Sequence, residues 1–167
     1  MHNMPYIVNG LSDSDMVWLL SMGKLKPLAP GERLVEAGRP VDDLFFIMRG
    51  TLAVLLADDT LVTTLTEGDV VGEMSFVDQR PPSASVRADE VAEVLAIPRK
   101  KILKRFDQEP VFAARFYRAL AVFLSERLRE TTAAAHAPDQ DAAADENVKA
   151  ASDRFRRLAK KLKPKAG

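Results

Sequence analysis

The residues of this chain best suited to chemistry are Gly72-Glu73 and Ser83-Ala84-Ser85, within DVVGEMSFVDQRPPSASVRA from Asp69 to Ala88. A glycine lets backbone approach a bound group closely, and a carboxylate beside it accepts a strong hydrogen bond from a hydroxyl. Exposed amides at a turn or a helix start attract an anion. Together these features suit a sugar-phosphate. Covalent chemistry has less support. The chain has no cysteine, which removes a cysteine nucleophile, a thiolate zinc site and a disulfide framework. His2 and His136 are isolated near the terminus and in a polar stretch, so neither predicts a metal site. No paired carboxylates form a recognisable catalytic motif, and there is no Walker-type glycine loop. The chain reads as a non-enzyme.

The elements around these residues follow from the pattern of apolar runs. Leu11-Ser12-Asp13, followed by Met16, Val17, Leu19 and Leu20, predicts a capped short helix ending near Gly23. After Pro30-Gly31 come short apolar runs: Leu34-Val35, Leu44 to Met48, Leu52 to Leu56, Leu61 to Leu65, Val70-Val71, Ala84 to Ala88 and Val91 to Ile97. Gly38, Gly50, Asp58-Asp59 and Gly68 punctuate them, which predicts an all-β barrel or jelly roll. No helix-length segment separates the strands, which argues against a doubly wound α/β sheet. Beyond Pro98 the period becomes helical. Lys100 to Phe106 predicts a short helix, and Glu109-Pro110 opens a long one with Phe112, Phe116, Ala119 and Phe123 on one stripe.

The length of 167 residues suits one domain with appendages, and a net charge of zero conceals a division between them. Eight of the 24 basic residues and one of the 24 acids fall in 147–167, so this tail carries +7 and residues 1–146 carry −7. Val148, Ala151, Phe155, Leu158 and Leu162 recur at three- and four-residue steps, predicting an amphipathic basic helix. Phe155, Leu158, Leu162, Arg154 and Lys161 are its candidate partner-binding residues. The occupant of that face is left open: its own barrel, a dimer mate, another protein, nucleic acid or an anionic membrane. The expected organisation is 1–134 as one domain with its long helix, 135–146 as a linker and 147–167 as the tail. With no secretory signal and no apolar run near the roughly 20 residues that span a bilayer, a cytoplasmic location is expected.

In order, APGERLVEAGRPVDDLFFIMRGTLAVLL, LTEGDVVGEMSFVD and VAEVLAIPRKKILKRF resemble the opening strands, cassette approach and final strand and helix of cyclic-nucleotide-binding domains. The resemblance covers roughly residues 11–130. It implies a mainly β fold: a double-stranded β-helix (jelly-roll) barrel with flanking helices and a long C-terminal helix, to which the basic tail is added. It also implies a regulatory role and a cyclic nucleotide, cAMP or cGMP, as ligand, with no other cofactor required. Residue by residue, Glu73 matches the acceptor of the ribose 2′-hydroxyl. Gly72, Met74 and Ser75 match the backbone beside the sugar or phosphate. Ser83 and Ala84 match the amides near the phosphate, and Ser85 matches the small hydroxyl residue there. Where the family carries the phosphate-binding arginine, this chain has Pro82, which supplies neither guanidinium nor amide.

Loss of that partner costs on the order of 2–5 kcal/mol of binding. Arg80 and Arg87 are the nearby candidates to restore the charge. Each candidate also has a plainer reading. Glu73 could cap its own helix or pair with an arginine, the serines could simply be small strand residues, and both arginines could be surface charges. Too few residues follow the long helix for a winged helix, which argues against sequence-specific DNA binding. Two functions follow: a regulatory or adaptor module with a nucleotide site, or a nucleotide-independent oligomeric scaffold working through the C-terminal helices with an unknown protein partner.

Overall fold

The computed structural model describes residues 7, 9–134, 153–158 and 160. Helix α1 (Asp13–Met22) opens on a capping box: Ser12 Oγ accepts from the Asp15 N–H, and the Ser12 N–H donates to Asp15. Eight strands follow: β1 (Lys24–Leu28), β2 (Arg33–Val35), β3 (Asp43–Arg49), β4 (Leu52–Leu55), β5 (Leu61–Leu65), β6 (Val70–Val71), β7 (Ser85–Ala88) and β8 (Ala92–Pro98). A short helix α2 (Glu73–Asp78) separates β6 from β7, and α3 (Arg99–Gln108) and α4 (Pro110–Ala134) close the domain.

The strands form two antiparallel four-stranded sheets, ordered β1-β8-β3-β6 and β2-β7-β4-β5. The fold is therefore the mainly β roll with flanking helices that the sequence predicts. Strand β1 escapes the pattern of apolar runs because it is an edge strand in which only Leu28 is buried. Its Pro27 is tolerated for the same reason.

Strict alternation along β3 and β8 divides the core in two. Phe45 and Ile47, with Val94 and Ala92, point between the sheets, where they meet Leu52, Leu65, Val86 and Ala88. Leu44 and Phe46, with Leu95 and Ile97, point outward and are covered by α1, α3 and α4. Phe112, Phe116, Ala119 and Phe123 of α4 are buried on that side, and Phe76 of α2 packs on Phe106 and Phe116 with centroids 6.1 and 5.4 Å apart. Each such ring contributes about 1.5–3 kcal/mol by burial. The helices are thus fastened to the sheet by the same aromatic layer that carries α2.

Candidate functional site

The cassette begins at a glycine that no other residue can replace without strain. Gly72 has φ of 91°, and a Cβ there would lie 2.9 Å from the carbonyl oxygen of Asp43. Its left-handed conformation turns the chain from β6 into α2, and its carbonyl accepts the first helical bond from the Phe76 N–H. Glu73 is consequently the first residue of α2 and is directed inward, 6% exposed.

Arg127 of α4 receives it. Arg127 Nη1 donates to Glu73 Oε1 across 2.5 Å, and its guanidinium lies 5.2 Å from the centre of the Phe123 ring. Burial pushes the Glu73 carboxyl up from its ordinary 4.5, against the opposing pull of the Arg127 charge, and Asp69 adds to the rise. Of the alternatives open for Glu73, pairing with an arginine is the one observed, although the arginine comes from 54 positions away. Helical spacing contains a signal for it: Arg127 follows Phe116, Leu120 and Phe123 along the buried side of α4, where an isolated cation requires a partner.

The other candidates differ in exposure and partners. Ser75 is buried, while Met74 on the outer side of α2 is 60% exposed. Ser83 is exposed and Ala84 half-buried, both just ahead of β7. Ser85 is buried, and its Oγ accepts the Ala37 N–H at 3.0 Å. The Pro82 carbonyl accepts the Gly38 N–H at 2.8 Å, so this stretch is stitched to the loop between β2 and β3.

Val86 and Ala88 fill the roll interior, which places Ser85 and Arg87 on the opposite face of β7. Arg87 lies 3.8 Å from Asp89, and Arg80 is 84% exposed, 4.0 Å from Asp78. The cation that faces Glu73 is thus neither Arg80 nor Arg87. A cavity of about 380 Å³ opens beside β2 and the loop that follows, lined by residues including Arg33, Arg39, Val41, Asp43 and Phe45. Another of about 550 Å³ lies along Asp153, Arg156, Arg157 and Lys160. Neither is lined by Glu73 or by Ser83 to Ser85.

The tail is seated on the body. Phe155 is 2% exposed and stacks on Phe46, with centroids 6.5 Å apart, and Leu158 packs against the same cluster. Arg154 bonds to Asp13. Lys161 and Leu162, like the expected linker 135–146, lie outside the described residues. Among the described residues, no group of three or more His, Cys, Asp or Glu is placed to hold a metal, and no helix is long and apolar enough to cross a membrane.

Comparison with known proteins agrees with this architecture. A sequence model of the cyclic nucleotide-binding domain matches residues 25–109, more than half of the chain. A crystal structure of a cyclic nucleotide-binding domain from Methylobacillus flagellatus superposes with a TM-score of 0.70 at 21% identity, covering 83% of this chain and 84% of that one. The catabolite activator protein of Thermus thermophilus gives 0.63 at 26% identity, covering 76% of this chain and 60% of that one. Glutaminase 1 of Bradyrhizobium diazoefficiens is 33% identical over 122 residues, 73% of this chain, but the chain spans only 20% of its length. The matched segment, the two-sheet roll and the cassette between β6 and β7 all assign this chain to the cyclic nucleotide-binding domain family.

Proposed function

We propose that this chain is a regulatory or adaptor module that works without a bound cyclic nucleotide, through its C-terminal helices. The observation that carries the reading is the buried pair of Glu73 and Arg127. A ribose 2′-hydroxyl needs the Glu73 carboxylate as acceptor, and that carboxylate is buried and already accepts from Arg127 through Oε1, so a ligand has to open the pair to reach it. Displacing Arg127 would strip a buried anion of its counter-charge and replace it with a neutral donor, an unfavourable exchange. Pro82 withholds the cation that would have offset this cost. The glutaminase likeness carries no activity across, since the chain corresponds to a small part of that enzyme and its family is one of binding domains.

The same pair provides the working part of the module. Arg127 joins the cassette to the C-terminal half of α4, so a partner that shifts α4 also alters the hold on Glu73 and α2. Such a partner acts by binding one arrangement more tightly than the other. Isothermal calorimetry of the full chain with cyclic AMP, cyclic GMP and cyclic dinucleotides tests the reading. No binding heat up to several hundred micromolar is expected. A dissociation constant in the low micromolar range for any of them would reject it in favour of a sensor whose ligand displaces Arg127.

A further inference from the structure

The segment 153–158 occupies a groove whose chemistry is more specific than packing requires. Its floor is Phe46 on the outer face of β3, and its rims carry Asp13 of α1 and Glu67 of the turn between β5 and β6. Phe155 enters ring to ring with Phe46, the planes 18° apart. On one rim Arg154 Nε donates to Asp13 Oδ1 at 2.6 Å and Nη2 to the Leu11 carbonyl at 2.9 Å. On the other, Arg156 Nε donates to Glu67 Oε1 at 2.7 Å. An aromatic anchor between two charge pairs is how an amphipathic helix is recognised in a groove. The wider charges agree, since the tail is +7 and the remainder −7.

We propose that this groove is a docking site for a basic amphipathic helix, and that it exchanges its own tail for that of a second copy of the chain. The inference rests on the reading that the C-terminal helices are the working surface, and names their partner. Among the described residues, the segment is held by one buried ring, a flanking leucine and contacts of Arg154 and Arg156 at the two rims. The 18 residues 135–152 lie between α4 and the docked segment. Fully extended, such a stretch reaches about 60 Å. That is ample for delivery to a neighbouring molecule. A second copy reproduces every contact in trans, so reciprocal exchange forms a closed two-fold dimer without new interactions. The tethered tail has the higher effective concentration, so exchange is favoured where copies are crowded.

Complementary charge reversals in the full chain test this. One variant carries Arg154→Glu with Arg156→Glu, the other Asp13→Arg with Glu67→Arg. Each tail is repelled by its own groove and matched to that of the other variant. Static light scattering after gel filtration at about 100 µM should give a larger mass for the equimolar mixture than for either variant alone, approaching twice 18.4 kDa for variants that are monomeric. Adding Phe155→Ala to both should abolish the gain. A mixture no heavier than its components, with both folded by circular dichroism, overturns the proposal. If a double variant unfolds, the single reversals Arg156→Glu and Glu67→Arg make the same test. The outcome is independent of nucleotide binding, so calorimetry and this experiment can fail separately.

Discussion

Asp15 and Glu73 are both buried, at 1% and 6% exposure, and both are held by arginines of α4, yet they titrate in opposite directions. Burial pushes both carboxyls up. At Asp15 this is outweighed by Arg115, which donates through Nε and Nη2, and by Ser12 through its side chain and backbone N–H, which leaves the carboxyl below its ordinary 3.8; Arg105 Nη2 also reaches it. At Glu73 burial is opposed by Arg127 and a backbone hydrogen bond, with Asp69 adding to the rise, and the carboxyl remains above its ordinary 4.5. Asp15 is a saturated knot that ties α1 to α3 and α4. Glu73 has less compensation than its burial demands. Of the two, Glu73 is the less fully compensated.

The largest expected effect breaks the saturated member. Asp15→Ala removes the anion from Arg105, whose guanidinium is 4.5 Å from the Trp18 ring and 3.9 Å from that of Phe112. A loss of about 3–5 kcal/mol is expected from urea denaturation. Calorimetry should show a fall in melting temperature of roughly 6–20 °C. A loss below about 1 kcal/mol would mean that the knot is not structural. Next is Arg127→Met, which leaves Glu73 buried without its partner. About 2–4 kcal/mol should be lost at pH 8 and distinctly less at pH 5, where Glu73 can take up a proton. Equal losses at the two pH values would show that Glu73 is not the group responsible.

The smallest effect is that of Glu73→Gln. Arg127 retains 24% side-chain exposure against 7% for Glu73, so it can turn to water when its partner is neutral. The change should be under about 1 kcal/mol near neutrality. Its pH dependence is the sharper test. Because the folded-state pKa of Glu73 is raised, its contribution is fullest below the ordinary carboxylate range and declines as pH rises through the raised value. The glutamine variant should therefore gain stability relative to the wild type between pH 5 and 8. Asp15 has the opposite sign: its contribution is present above 3.8 and is lost as pH falls through its lowered value. Urea melts across pH 3 to 8 measure both trends on one set of samples.

Much of the roll is legible in the sequence, because it depends on local chemistry. The alternation in Leu44-Phe45-Phe46-Ile47 assigns alternate residues to two cores, and Gly72 marks a backbone turn that a side chain would obstruct. Pro98 and Pro110 bracket the change to helical periodicity. Arg80 and Arg87, the cations near the cassette in sequence, do not meet Glu73: strand parity turns Arg87 outward and Arg80 faces solvent.

What the sequence by itself determined, then, is the family, the order of the strands after β1 and the change to helices, and the opposition of an acidic body to a basic tail. Those features are written in periodicity, turn residues and charge, each acting over a few positions. The tertiary structure alone decided that Arg127 meets Glu73 and that Asp15 gathers Arg105 and Arg115. It also decided that Phe155 lies on Phe46 between two acidic rims. Such pairings join residues dozens to more than a hundred positions apart, and only packing brings them within the few ångströms over which a hydrogen bond or a ring contact acts.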